Sequence, residues 1–343
     1  MLSGRAHVMA IYATADAPQK QRSSIPSTMR AAALDRFGGP EVLTIHELPV
    51  PTPDADEILI AVDTAGVGAW DADMRAGWWP EGEPGFPLVL GSDGSGTVVD
   101  AGRSVRRLAI GDRVYSYSFA NPKGGFYAEY VAVAADNAAH IPRTLSMKEA
   151  GGAATVGLTA LQGIAHSLRV RRDEIVIIHG ATGGVGSLAI QFAKLRGARV
   201  IATARGEAGL QFARRLGADE AVDGQDGDIA AAARRFSSKG VDAVLATVGA
   251  GLEQVIDTVR SGGRVAYPNG VEPVPKERPG IEIISYDARS GVREFEALNE
   301  AIEQRHVVVP IAAEFRLEQA ARAHQRLAAG HVPGKIVLRM QPD

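Results

Sequence analysis

The run Glu174-Ile175-Val176-Ile177-Ile178-His179-Gly180-Ala181-Thr182-Gly183-Gly184-Val185-Gly186 decides the fold. An apolar, β-branched segment runs directly into glycines 180, 183, 184 and 186. Ser187-Leu188-Ala189-Ile190-Gln191-Phe192-Ala193-Lys194 then continues with helical spacing. Strand, glycine turn and helix is the arrangement that holds a dinucleotide pyrophosphate. The first glycine permits the tight turn. The next lets the backbone approach the phosphates, which face the positive end of the helix. The competing reading is a glycine-rich corner. A corner does not require the strand before it and the helix after it, and both are present.

Outward from this run, strands and amphipathic helices alternate, as they do around a parallel sheet. Strands are expected at 175–179, 198–203, 221–222, 241–248, 263–267 and 281–285. Helices are expected between them, including 207–216, closed by Gly217, and 251–260. Six strands with five crossovers make one doubly wound parallel sheet over residues 150–286. Upstream, over 29–149, the pattern is short strands punctuated by Gly and Pro (57–63, 96–100, 112–116, 128–133), as in a β-barrel. Downstream, over 287–343, the rhythm breaks. A helix at 292–304, an apolar run 307–311, a helix at 317–329 and a strand at 335–339 read as a return to the first domain. The expected class is α/β, a β-barrel domain plus a Rossmann domain.

The 343 residues are 45% hydrophobic and 22% charged, an ordinary globular balance with length for two domains. The formal net charge of −3 gives no reason to expect nucleic acid or a membrane surface as partner. No apolar run reaches the roughly 18–20 residues that span a bilayer. The absence of cysteine removes disulfides and thiolate metal ligands, and suits a reducing cytoplasm. Residues 1–28 carry Arg5, Lys20 and Arg22 against one acid, Asp16, with a Gln/Ser/Pro-rich end. A transit peptide, a disordered leader and an upstream start site all fit that bias.

Taken together, Arg75-Ala76-Gly77, 91–98 (GSDGSGTV), 111–114 (GDRV), 127–130 (YAEY), 157–160 (GLTA), the 179–186 run, 216–219 (LGAD) and 334–337 (GKIV) resemble the zinc-independent branch of the medium-chain dehydrogenase/reductase superfamily. This is the quinone oxidoreductase and ζ-crystallin group. The resemblance covers nearly everything after Met29. It implies a GroES-like barrel, a Rossmann domain, a cleft between them and a homodimer, for which the edge strand near 281–285 is the expected seam.

Zinc members of the superfamily place a Cys after the Gly-Val of the first cleft strand and a His-Glu pair in the next motif. Here Gly66-Val67 leads to Gly68, and Gly91 leads to Ser92-Asp93. The eight histidines show no ligand spacing; His179, His324 and His331 read as packing or surface residues. No metal is expected.

The second strand of the parallel sheet ends Thr203-Ala204-Arg205, with arginine where an NAD site places an acid. Arg205 fits a 2′-phosphate, so NADPH is expected rather than NADH. The lysine and tyrosine that some relatives use there fall at Gly209 and Gly224. The resemblance assigns the rest of the cofactor path to Thr155, Thr159, Gly180–Gly186, Thr247-Val248-Gly249 and Tyr267-Pro268-Asn269.

Without a metal, an acceptor must delocalise incoming charge itself. That favours a quinone or an α,β-unsaturated carbonyl over a saturated aldehyde. In related enoyl-thioester reductases a tyrosine follows the Arg-x-Gly motif; that place is Trp79, which cannot act as a general acid. Trp78 and Trp79 read as an aromatic wall or as core. Asp71 matches an acidic cleft position and reads either as a substrate or water contact or as a turn-former. Tyr127 reads as core or as reaching the cleft. Asp71 and Trp79 are the catalytic candidates. A 2-enoyl-thioester or enal reductase, and an NADPH-binding protein with little catalysis, are the alternative functions.

Overall fold

The computed structural model describes residues 25–80, 82–304 and 307–340. The expected leader lies outside the described residues up to position 24; Thr28 already opens the first strand.

Strands β1 (Thr28–Leu34), β2 (Thr44–Pro49), β3 (Glu57–Val67), β4 (Leu88–Val89), β5 (Asp93–Ala101), β6 (Arg113–Tyr117), β7 (Tyr130–Ala134) and β8 (Ala138–His140) form the first half of the chain. β2-β1-β4 make a small antiparallel sheet. β3 is the hub of a seven-stranded sheet, antiparallel to β5 on one side and to β7 along its first half. Its residues alternate little because both faces are covered, as the pattern iBBBiBiBBBB records. Helix α1 (Ala69–Ala76) follows β3 directly and ends at Gly77, whose φ of 115° is the left-handed conformation a helix C-terminus favours.

After α2 (Met147–Gly151) and α3 (Ala154–Gln162), the parallel sheet begins. Its strands are β9 (Ile175–His179), β10 (Arg199–Ala204), β11 (Glu220–Asp223), β12 (Val241–Ala246), β13 (Val259–Pro268) and β14 (Glu282–Tyr286). The order is β11-β10-β9-β12-β13-β14, all parallel, with α4 (Gly184–Leu195), α5 (Gly206–Arg215), α6 (Ile229–Phe236) and α7 (Leu252–Ile256) in the crossovers. This is the doubly wound arrangement, reversing direction between β9 and β12. β9 is buried at every residue, which is why it reads as an unbroken apolar run.

One element differs from expectation. The helix expected over 251–260 spans only Leu252–Ile256, because Thr258 turns its hydroxyl onto the Val255 carbonyl and Val259 starts a ten-residue strand. The apolar run 307–311 leads into a strand. Pro310 has no N–H to donate, and β15 (Ile311–Arg316) begins after it.

Helix α8 (Val292–Gln304) occupies its expected span. It is followed by β15, α9 (Ala320–Ala328) and β16 (Lys335–Arg339). β16 pairs antiparallel with β3, and β15 adds parallel to β16. α8 welds the two sheets together. Its Phe295, Leu298 and Ile302 belong to the core cluster that holds β9 and α4, and the same cluster includes Tyr115, Ala139 and Leu145 from the barrel side. Tyr115 meets Phe295 edge to face at 5.0 Å and donates to Asn299 Oδ1 at 2.5 Å. One continuous core therefore fixes the walls of the cleft between the sheets.

Candidate active site

The carboxyl ends of β9, β10 and β12 are laced together by side chains whose roles follow from their protons. Ala250 carbonyl accepts from His179 Nε2 at 2.8 Å, so the imidazole proton is on Nε2. Nδ1 must then accept from Thr203 Oγ1 at 2.8 Å, and the same hydroxyl oxygen accepts from Gly180 N at 3.1 Å. Burial lowers the His179 pKa below its ordinary value, which keeps this neutral relay intact. Thr247 Oγ1 lies 3.0 Å from the carbonyl oxygens of both His179 and Gly180. Of the expected cofactor residues, Thr203 and Thr247 thus shape the loop from behind. Reading His179 as packing missed this role.

Gly180 has φ 81°, and a Cβ there would sit 2.4 Å from Thr247 Oγ1. A Cβ on Gly186 would sit 2.3 Å from the Gly180 carbonyl oxygen and 2.7 Å from Ala181 Cα. At Gly183 the nearest atom would be 3.9 Å away, so this glycine faces open space. Gly183 is the N-cap of α4 and makes no side-chain capping bond, leaving first-turn N–H groups for an anion. The loop is clamped from the tail: Gly334 N donates to Thr182 O at 2.8 Å.

Val248, 42% exposed, and Asn269 continue the groove along the ends of β12 and β13. Asn269 Nδ2 donates to Asp287 at 2.7 Å, just past β14. A Cβ on Gly249 would strike the Glu272–Pro273 backbone at 2.3 Å. Tyr267 is buried beneath this groove.

At the end of β10, Ala204 is buried and the exposed Arg205 directs Nη1 to His331 Nε2 at 3.0 Å. The acid missing from β10 enters from the next strand. Asp223 accepts from Gly206 N at 2.8 Å and from Gln225 and Asp226, and these bonds, with a smaller effect of Arg205, lower its pKa.

The barrel side of the cleft holds a second group of residues. Asp93 opens β5, fully buried, and its Oδ2 accepts from Thr155 N at 3.1 Å in the first turn of α3. Asp93 Oδ1, Thr155 Oγ1 and Trp70 Nε1 are buried without protein partners. Lys335 is also buried; its ammonium donates to Val67 O at 3.1 Å and lies 5.2 Å from the Trp70 ring centroid. Its stem passes under α4, where a Cβ on Gly184 would come within 2.9 Å of it. Buried polar atoms without partners are rare in folded proteins. Asp93, Thr155 and Trp70 each leave one such atom in this group. Thr159 instead back-bonds to the Thr155 carbonyl at 2.8 Å.

Residues 54–143 match the family model described as alcohol dehydrogenase GroES-like domain, and residues 184–276 the one described as zinc-binding dehydrogenase. Quinone oxidoreductase of Mus musculus is 31% identical over 326 residues, covering 90% of this chain and 97% of its own. Among solved structures, an NAD-dependent alcohol dehydrogenase superposes with a TM-score of 0.84 at 34% identity, covering 91% of this chain and 100% of that one. Escherichia coli quinone oxidoreductase, solved with NADPH, superposes with a TM-score of 0.81 at 25% identity, covering 91% and 100%. The chain belongs to the quinone oxidoreductase group of the medium-chain dehydrogenase/reductase superfamily.

One matched model of this family is described by zinc, so the donor set must be tested for fit. Gly68, Ser92, Asp93 and Thr155 supply one carboxylate and two hydroxyls, with an ammonium nearby. That set lacks the imidazoles or thiolates of a tetrahedral zinc site. Among the described residues no three His, Asp or Glu side chains converge elsewhere. The residues do not fit zinc.

Asp71 does not face the cleft. It is fully buried and caps its own helix: Oδ2 accepts from Gly68 N at 2.8 Å and from the Tyr127 hydroxyl at 3.2 Å, and Oδ1 lies 3.4 Å from Ser92 Oγ. Arg75 can only donate, so His324 Nδ1 accepts from Arg75 Nη1 at 2.7 Å. His324 Nε2–H then donates to Tyr127 at 3.1 Å, and Tyr127 donates to Asp71. This directed chain crosses from α9 to α1 through the barrel core. Burial pushes Asp71 up to about 7 against the opposing Gly68 bond, and burial with the Arg75 charge pushes His324 down to about 3. Tyr127 is core, and Trp79, partly buried, packs on the barrel cluster. Trp78 is 52% exposed and leans on Phe119.

Proposed function

We propose that the protein is a metal-independent, NADPH-dependent oxidoreductase that reduces quinones or α,β-unsaturated carbonyls. The observation that carries this reading is the composition of the cleft: an uncapped helix N-terminus over a glycine loop, facing one carboxylate, hydroxyls and an ammonium that do not fit a zinc ion. When bound, NADPH supplies a hydride from its nicotinamide. The α4 N-terminus and Gly183 hold the pyrophosphate. Val248 and Asn269 support the path to the nicotinamide. Acceptors that spread the incoming charge over a conjugated system need no Lewis acid. Trp78 offers a face to a flat ring. Asp71 acts by positioning α1 rather than by touching substrate, and Trp79 lines the wall behind it. We also read the open edge of β14 as the seam of a homodimer.

Initial rates of NADPH oxidation in EDTA, with an ortho-quinone, an enone, a crotonyl thioester and a saturated aldehyde, test the reading. Quinone or enone turnover with no aldehyde reduction is the expected result. Comparable aldehyde rates would overturn the charge-delocalisation argument, and thioester preference would replace the substrate class. If NADPH binds and the whole panel stays unreduced, the reading as an NADPH-binding protein with little catalysis moves ahead.

The cofactor preference rests on Arg205. Arg205→Ala should cut the ratio of NADPH to NADH affinity by about tenfold or more, the loss of a charge-assisted bond worth roughly 1.5–3 kcal/mol. An unchanged ratio would remove the basis for NADPH, because Asp223 stands beside the same site.

A further inference from the structure

We propose that Tyr117 is a catalytic residue whose hydroxyl donates a hydrogen bond to the acceptor carbonyl and holds the oxyanion that develops there. The inference rests on the quinone or enone reading above and deepens it.

Tyr117 ends β6 and is the direct cross-strand partner of Asp93. Directly opposed residues of an antiparallel pair share one face, about 5 Å apart. The Asp93 side chain is fully buried, against Thr155 and against Gly66, whose Cβ would sit 2.4 Å from Oδ1. Tyr117 therefore lies on the same face as the Asp93 and Thr155 group, and it is only half-buried there. Its backbone carbonyl accepts from Ser290 Oγ at 3.1 Å, which ties the strand end to the segment just past β14. The carboxylates of Asp93 and Asp71 on the barrel side and Asp287 on the Rossmann side all bear on its hydroxyl. Its ring packs on the core cluster that the two halves share, and the carboxyl ends of such sheets are where ligands bind.

The hydroxyl is also unspent. Tyr115 donates to Asn299, Tyr127 to Asp71 and Tyr286 to the Thr159 carbonyl. Tyr117 makes no such bond among the described residues. From its ring, an aromatic lane leads outward: Phe119 at 6.5 Å, then Trp78 at 6.1 Å, with Phe119 37% and Trp78 52% exposed. Exposed aromatics in a row that ends on a free hydroxyl suit a flat conjugated ring with a terminal oxygen.

Burial and then the three carboxylates raise the Tyr117 pKa above its ordinary value. The phenol stays protonated throughout the working range, so it serves as a donor and not as a general acid. In the step it assists, an enone takes hydride at its β-carbon, forming that C–H bond as the bond at the nicotinamide breaks. The enone π electrons move to oxygen. The acceptor gains two electrons, the dihydronicotinamide loses two, and water supplies the proton to the α-carbon. The buried Lys335 ammonium, held on Val67 O, opposes the charge of Asp71, one of these three carboxylates.

Tyr117→Phe tests this in two ways. It should lower kcat/KM for an enone by about 100-fold, as loss of one oxyanion donor does, with the change carried by kcat and NADPH affinity unchanged. It should also weaken binding of para-nitrophenolate to the NADP+ complex by about tenfold, read by absorbance without turnover. Wild-type rates and wild-type phenolate affinity in the variant would overturn the Tyr117 assignment while leaving the function standing. A wild-type protein that reduces no quinone or enone would overturn the function, and this inference with it.

Discussion

Gly186→Val is expected to weaken NADPH binding on the order of 100-fold, equivalent to losing one or two charge-assisted bonds. The new Cβ would lie 2.3 Å from the Gly180 carbonyl and 2.7 Å from Ala181 Cα, both backbone atoms. Neither can swing away as a flexible side chain would, so the loop must move off the helix N-terminus that faces the phosphates. Melting curves report this directly. NADPH at about 100 times the wild-type dissociation constant should stabilise wild type by about 2.7 kcal/mol and the variant by a small fraction of that. Equal stabilisation of both would mean that the glycine loop does not hold the cofactor.

The second large effect is on stability. Asp71→Ala leaves the Gly68 N–H and the Tyr127 hydroxyl buried without acceptors, and should cost about 3 kcal/mol in denaturant unfolding. Asp71→Asn keeps an acceptor and isolates the pH dependence. The depressed His324 contributes stability that is complete above its ordinary 6.5 and is lost as pH falls toward about 3. The raised Asp71 contributes stability present below its ordinary 3.8 and lost as pH rises through about 7. Between 3.8 and 6.5 the two oppose each other, because the unfolded chain binds a proton on His324 where the folded one binds it on Asp71. Removing the carboxyl should expose a rise in stability with pH on the order of 1 kcal/mol per unit over that window. Parallel curves for wild type and Asp71→Asn would contradict this account of the chain.

The parallel sheet and its cofactor loop are legible in the sequence because their signals are local. β9 is a short buried strand bounded by a glycine turn, and α8 repeats its apolar face over thirteen residues. The start of β13 is not legible, because Val259-Arg260-Ser261-Gly262-Gly263 pairs as strand through a register shift rather than by alternation. The site was read less well than the fold. Asp71, Tyr127 and His324 meet across 56 and 197 residues, so only the fold shows that Asp71 is committed to a buried chain. Tyr117 gives no signal in the sequence for the same reason: its pairing with Asp93 is a matter of register, which no local pattern states. Asp223 reaches the end of β10 from the neighbouring strand, where the reading of β10 alone finds only Arg205.

The proposed reaction is direct hydride transfer from NADPH, bound at the glycine loop, to a conjugated acceptor in the cleft. NADPH deuterated at C4, on each face in turn, and an enone acceptor test it by mass and NMR analysis of the product. The account predicts one deuterium at the β-carbon from one face only, none at the α-carbon, and a slower rate with that label. Product left unlabelled by both deuterated forms while NADPH is oxidised would rule out direct transfer.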